Sequence, residues 1–298
     1  MGTHNGAPHL GAQLQSFVDQ THDAWTLWVS DDGSADTTRD QIDRFGAAHP
    51  GRLGALQDGP GQGIAGNFLS LLMREELAGC WVAFSDQDDV WLPHKLARAV
   101  ERLSALPDQR GIYASRTIHT DESLTPLGES KIHQRPFGFG NALVQNVLAG
   151  NTIVMPPETT DLVRRSASAA LSAGVPFHDW WVYLVCAGAD VPVVYDREPS
   201  MYYRQHRTNA LGAASARRLD RFAKLRSRVY ARWFSNNLAA LDQTRALLTP
   251  AAEGLLDRVT EWRNRPRLWR RSPRQLGLYR QTAGGDEVLR LMARAGWL

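Results

Sequence analysis

Five residues, Ser85-Asp86-Gln87-Asp88-Asp89, follow directly on the apolar run Cys80-Trp81-Val82-Ala83-Phe84. A short apolar run bounded this way reads as a buried strand that delivers carboxylates at its carboxyl end, the rim where open α/β sheets hold ligands. Side chains two apart on a strand share a face, so Asp86 and Asp88 can converge on one hard cation, and a cation there suits a phosphate-bearing ligand. Plainer readings compete: acidic residues after a strand also form turns or cap the next helix, and Pro93 stands where a helix would begin. An EF-hand calcium loop fits poorly, because its obligatory sixth-position glycine would fall on Trp91.

Up to about residue 120 short apolar runs alternate with helical stretches, which predicts an α/β fold with a mostly parallel sheet covered by helices. The pattern predicts strands over Trp25–Ser30, Leu53–Leu56 and Cys80–Phe84, and helices over Ala35–Ala48 and about Ile64–Leu77, with a turn at Asp31-Asp32-Gly33-Ser34. From about 111 to 155 the chain is more strand-like and irregular, and Gly150-Asn151 marks a turn or bulge between apolar pieces. Helices over Thr159–Ser172 and His178–Gly188 and a strand over Val191–Tyr195 follow. Beyond Gly212 the chain is Arg-rich and helical in period, broken at Pro250, Pro266 and Pro273. The expected division is therefore a catalytic domain over 1–212 and a basic helical extension over 213–298.

With 43% apolar and 22% charged residues among 298, the chain can build one large core or two modest ones. No apolar stretch approaches the roughly 20 residues of a membrane span, and the amino end has no basic-then-apolar leader pattern, so a cytoplasmic location is expected. Cys80 and Cys186 sit among apolar neighbours and read as buried thiols. The net charge of +3 hides an asymmetry: from Arg217 onward there are 18 Lys and Arg against 7 Asp and Glu, leaving 16 against 24 before it. A basic carboxyl-terminal third suggests contact with an anionic surface, and charge alone leaves open lipid, a polyphosphate-linked acceptor and nucleic acid.

Seven pieces in chain order then carry a resemblance: Thr3-His4-Asn5-Gly6, Gln20-Thr21, Ser30 to Asp36, Gly66-Asn67-Phe68, Ser85 to Trp91, His178-Asp179-Trp180-Trp181 and Tyr203-Arg204-Gln205-His206. Over about residues 1 to 212 the chain resembles family 2 glycosyltransferases of the GT-A fold, most of all bacterial rhamnosyltransferases that build surface polysaccharide. The resemblance implies a nucleotide-sugar site formed by Thr3, Asn5, Asp31, Asp32, Asn67, Asp86, Gly150 and Asn151, with Asp31 or Asp32 accepting the N3 hydrogen of uracil or thymine. It implies Mg²⁺ or Mn²⁺ at Asp86 and Asp88, with Asp88 the direct ligand, Asp86 shared with the ribose, and His206 a further ligand or diphosphate contact. Asp179 matches the base that removes the proton from the acceptor hydroxyl, although an aspartate there also suits a helix start. Trp180 and Trp181 match positions where one ring would line the acceptor site and the other would pack. The implied partners are a dTDP- or UDP-sugar donor and a saccharide or lipid-linked acceptor, with peripheral membrane contact through the basic helices and no nucleic acid.

Two departures stand out. The family has a full apolar strand ahead of Thr-X-Asn-Gly where this chain has Met1-Gly2, which implies either a start lying upstream or a lost first strand; a real loss would leave a missing wall at the nucleotide site and an exposed side on the Trp25–Ser30 strand. His4 replaces an aromatic tyrosine. Two other functions compete. Asp86-Gln87-Asp88-Asp89-Val90 also fits the nucleophile motif of haloacid-dehalogenase-like phosphatases, but no downstream Gly-Asp pair followed by a spaced Asp finishes that metal site. A non-catalytic scaffold would use the Arg-rich end, with Trp233, Trp262, Trp269 and Trp297 interleaved, to bind nucleic acid or membrane.

Overall fold

The computed structural model describes residues 1–206, 229–266 and 272–298. Two sheets lie side by side. The first is parallel, in the order β1 (Gly2–Thr3), β2 (Leu27–Asp31), β3 (Leu53–Asp58). The second is mixed and runs β4 (Val82–Ala83), β8 (Val154–Met155), β6 (Ile112–Thr120), β9 (Val193–Arg204), β5 (Val90–Trp91), with β7 (Pro126–Glu129) paired to β6. β6 and β9 are parallel, the other pairs antiparallel. Gly2 N–H donates across the seam to Ser85 O at 3.3 Å.

Helices α1 (Ala7–Val18), α2 (Thr38–Ala48) and α3 (Gly63–Leu72) connect the first strands, and α4 (Lys95–Ser104), the short α5 (Phe139–Ala142), α6 (Pro157–Ala173) and α7 (His178–Gly188) follow. In α1, Leu10, Leu14 and Phe17 recur at helical spacing and are buried in one cluster with Leu27, Val29 and Trp91. Each such side chain contributes roughly 1.5–3 kcal/mol on burial. α7 is apolar nearly all round, with nine of its eleven residues buried, so it can sit only in the interior. It anchors the large core.

Helices α8 (Val229–Gln243), α9 (Pro250–Asn264) and α10 (Ala283–Ala295) complete the described chain. Phe234, Leu241, Leu256, Val259, Trp262 and Met292 belong to the same cluster as α7, so these helices share the large core. Trp233 and Trp297 pack against that cluster as well, which leaves these rings poor platforms for nucleic-acid bases. The expected boundary at 212/213 and Trp269 lie outside the described residues. Among the described residues no helix is long and apolar enough to cross a membrane.

The expected elements recur with shifted ends: α7 matches residue for residue, α6 starts two residues early at Pro157, and the helix expected to Leu77 closes at Leu72 before a 3₁₀ turn over Glu75–Leu77. The strand expected over Cys80–Phe84 shrinks to Val82–Ala83, because only one of its edges has a strand beside it. Between the other edge of β4 and the lower part of β2 lies a cavity of about 690 Å³, lined by Trp25, Leu27, Trp28, Phe68, Leu72 and Val82 among others. At its head the Met1 amino group donates to Trp28 O at 2.7 Å. Gly2–Ser30 and Thr3–Asp31 stay paired at the rim, and the gap opens at the apolar end. There Trp25 and Trp28 are half-buried and covered by Arg52 and Arg74, whose guanidinium carbons lie 4.4 and 5.0 Å from the ring centres.

Candidate active site

The site lies along the carboxyl-terminal rim of both sheets. On the first, the loops after β1 and β2 are tied together by side chains. Asp31 Oδ1 accepts from Thr3 Oγ1 at 2.7 Å and Ser34 Oγ at 2.5 Å, while Oδ2 accepts from Ser34 N at 2.9 Å and Arg39 Nη1 at 3.4 Å. Burial pushes the Asp31 carboxyl up, but these donors outweigh it and hold it below the usual range. Asp31 is thus fully engaged as a turn organiser. Asp32 accepts Gly61 N–H at 2.7 Å through Oδ1 and is half-exposed, which makes it the member of the pair with capacity for a ligand.

Asn5 adopts the left-handed conformation at φ 49°, and its Oδ1 accepts Ala35 N–H at 2.8 Å. Asn67 donates to Ser30 O at 2.9 Å, while its buried Oδ1 has no partner among the described residues. A Cβ on Gly59 would lie 2.7 Å from both that oxygen and Asp32 Oδ1, so the glycine is what lets the β3 loop close here. Sequence reasoning passed over Gly59.

It also passed over Gln87. Its Oε1 accepts His4 N–H at 2.8 Å and its Nε2 donates to His4 O at 3.0 Å. The middle residue of the acidic run therefore staples the β1 loop to the second sheet, and His4 takes part through its backbone. The ring of His4 lies 2.9 Å, Nδ1 to O, from Asp32 O. Gly6 permits the approach, since a Cβ there would fall 2.2 Å from Gln87 Oε1.

On the second sheet Asp86, Asp88 and Asp179 come together. Burial, then the charges of Asp88 and Asp179, push the Asp86 carboxyl up to about 7. Asp88 Oδ2 lies 2.7 Å from His206 Nε2, brought there because β9 runs on to Arg204, well past the expected end at Tyr195. Arg204 wraps the loop, its Nε donating to Asp88 O at 2.9 Å and its backbone N–H to Asp89 Oδ1 at 3.3 Å. Asp89 is wholly buried, and burial with the neighbouring carboxylates raises its carboxyl well above the usual range. It accepts from Asn151 Nδ2 at 2.6 Å.

Asp179 lies in the first turn of α7, whose N-cap is Phe177. Its Oδ2 accepts Gly150 N–H at 3.2 Å and its Oδ1 accepts Trp180 N–H at 2.7 Å. Burial raises its carboxyl, with hydrogen bonds from Asn146, Trp180 and Gly150 opposing. Gly150 is packed against α7: a Cβ would meet His178 Nε2 at 2.7 Å. Beneath this turn Lys95 is fully buried, its ammonium pushed down to about 7 by burial against the pull of Asp89 and Asp86.

The acceptor expectation for the tryptophans is corrected. Trp180 is 3% and Trp181 0% exposed, and their indole N–H groups donate to Ala142 O at 2.7 Å and Ser166 Oγ at 2.9 Å. With both rings inside the core and both donors satisfied, neither presents a face to a sugar. Cys186 is buried with its thiol pushed up to about 12, while Cys80 is half-buried, short of the full burial expected; both are free thiols.

Among the described residues no three carboxylate, imidazole or thiol groups form a ready metal cluster. The donor chemistry nonetheless fits a hard divalent cation: burial and the nearby Asp88 charge raise the Asp86 carboxyl, which a cation would relieve, and His206 adds a nitrogen beside Asp88.

The model of glycosyl transferase family 2 matches residues 1–167, more than half of the chain. The dTDP-rhamnosyl transferase RfbG of Shigella flexneri is 28% identical over 220 residues, 72% of this chain and 74% of that protein. The Escherichia coli protein WfgD, a UDP-Glc:α-D-GlcNAc-diphosphoundecaprenol β-1,3-glucosyltransferase, is 30% identical over 103 residues, 35% of this chain and 39% of that one. The fold is like that of S. aureus TarS residues 1–349 in complex with UDP-GlcNAc, with a TM-score of 0.53 at 14% identity, covering 99% of this chain and 90% of that one. The two-sheet rim, its acidic run and these matches agree: the chain has the GT-A fold and belongs to glycosyl transferase family 2.

Proposed function

We propose that the protein is an inverting, metal-dependent transferase that moves a sugar, rhamnose from a dTDP donor in the first instance and a UDP-sugar otherwise, onto a saccharide or lipid-linked acceptor in cell-surface polysaccharide synthesis. The observation that carries it is the placing of Asp179, with a raised carboxyl, within electrostatic reach of Asp86, which also feels the charge of Asp88. The likeness in sequence to a dTDP-rhamnosyl transferase supports the donor.

Asp32 and the Asn5 loop receive the base and ribose, while Asp86, Asp88 and His206 would hold Mg²⁺ or Mn²⁺. When bound, that ion supplies charge neutralisation to the departing diphosphate. Asp179 takes the proton from the acceptor hydroxyl as its oxygen bonds to the anomeric carbon. The bond from that carbon to the diphosphate oxygen breaks on the opposite face, its electron pair leaving with the diphosphate. A carboxyl raised toward the working pH suits this role, and general-base help is worth roughly 10²- to 10⁴-fold. The basic carboxyl-terminal helices would rest on anionic lipid at the inner face of the membrane, and the site faces the cytoplasm.

Asp179→Asn is expected to lower transfer by about 10²-fold or more with donor binding kept, and Asp88→Ala to remove both transfer and donor hydrolysis. Turnover with dTDP- and UDP-sugars, with and without Mn²⁺, tests this. Full metal-dependent activity in Asp88→Ala would overturn the site.

A further inference from the structure

Lys95 is 0% exposed at the first position of α4. A buried ammonium is retained only where it has a partner, and here Nζ donates to the backbone oxygen of Asn151 at 2.6 Å. Around it lie Met201 Sδ at 3.8 Å and the Trp91 ring, 4.5 Å from Nζ to the ring centre, with the Asp89 and Asp86 carboxylates close enough to act on its charge. Asn151 is therefore gripped twice, by Lys95 at its carbonyl and by Asp89 at its side-chain amide. One residue earlier, Gly150 N–H points the other way and donates to Asp179 Oδ2. The chain of contacts runs from Lys95 through a single 3₁₀ turn, Gly150–Thr152, to Asp179.

We propose that Lys95 is a positioning residue for transfer: its grip on the Asn151 carbonyl fixes the 150–152 turn, whose Gly150 N–H sets the orientation of the Asp179 carboxylate. This rests on the reading of Asp179 as the base. A carboxylate misplaced by a fraction of an ångström loses its line to the acceptor hydroxyl while the donor, held mainly by other loops, is bound as before.

A double-mutant cycle on the full chain tests it. Lys95→Met, nearly isosteric and unable to donate, is expected to lower kcat for transfer on the order of 10- to 100-fold with donor KM within about twofold. In the Asp179→Asn background the same change is expected to cause no further loss, because the group being oriented is already disabled. Equal losses in both backgrounds, wild-type kcat in Lys95→Met, or a rise in donor KM alone would overturn the proposal and leave Lys95 a stabilising residue. If Asp179→Asn by itself transfers at the wild-type rate, the base assignment fails and the target of the positioning with it, an outcome visible in the single variant. Should circular dichroism show Lys95→Met unfolded, Lys95→Arg completes the cycle, since its planar head cannot place one nitrogen at the Nζ position, and the same outcomes decide.

Discussion

The two ends of the β1–β2 seam are built from neighbouring residues and could hardly differ more. At the rim, Asp31 accepts four hydrogen bonds, and Thr3, Ser34, Asn5 and Ala35 lock the two loops into one piece. A few residues below, a cavity of about 690 Å³ lies between β2 and β4, with the buried Met1 amino group at its head. The difference teaches that the donor side is held by local polar geometry rather than by the apolar packing beneath it.

The comparison can be broken first at the weak end. Joining five alternating apolar residues ahead of Met1, long enough to lie between β2 and β4, is expected to raise stability in urea by about 4 kcal/mol, the burial of roughly two aliphatic side chains. A Gly/Ser extension of equal length should give none of that gain, and equal gains from both would refute the picture. The same extension should alter the pH response. In the folded chain burial pushes the Met1 amine down to about 5, with Asp86 opposing, from an ordinary value of 8.0. The unfolded chain therefore takes up a proton that the folded one refuses, so stability falls as pH drops from about 8 to about 5. His178, pushed down to about 3 by burial, adds to the fall below about 6.5. The apolar extension removes the free amine from the cavity and should flatten the upper part of that slope, leaving the His178 part.

At the strong end the contrast is sharpened by two adjacent carboxylates. Asp31→Ala leaves several donors unsatisfied and is expected to cost about 3 kcal/mol, read by urea unfolding. Asp32→Ala should cost about 1 kcal/mol or less and instead weaken donor binding, read by thermal shift with the nucleotide sugar. A reversal of the two would show that Asp31 is the ligand contact. The smallest effect is expected at Gly6→Ala. Its methyl would displace the far end of the Gln87 side chain, lowering turnover a fewfold with stability changed by about 1 kcal/mol.

Much of this was legible in the sequence because period and punctuation carry it. The all-apolar stretch after Asp179 predicted α7 to the residue, and the Cys80 run followed by its acidic cluster predicted the rim. What stayed hidden depends on contacts between distant segments. Nothing local distinguishes Asp31, saturated by Thr3 from 28 residues away, from Asp32 beside it. The tryptophans after Asp179 look the same in sequence whether they face a cleft or a core; the surrounding helices decide, and Trp181 proves wholly buried. β9 ran nine residues past its expected end because pairing to β6 and β5 overrides the polar Asp196-Arg197-Glu198 stretch within it. Nothing around Lys95 at the start of its helix marks it out in sequence, and only the tertiary fold makes it an interior cation.

The staple between Gln87 and the His4 backbone has a bearing on engineering. Position 87 looks like a spacer between two functional carboxylates, the sort of residue a library would randomise freely. Its amide instead makes the same two-bond bridge that one strand makes to another, so the acidic loop and the loop after β1 move as one body. Transplanting the acidic run into a new scaffold, or widening donor choice by remodelling the first loop, would have to carry both halves together.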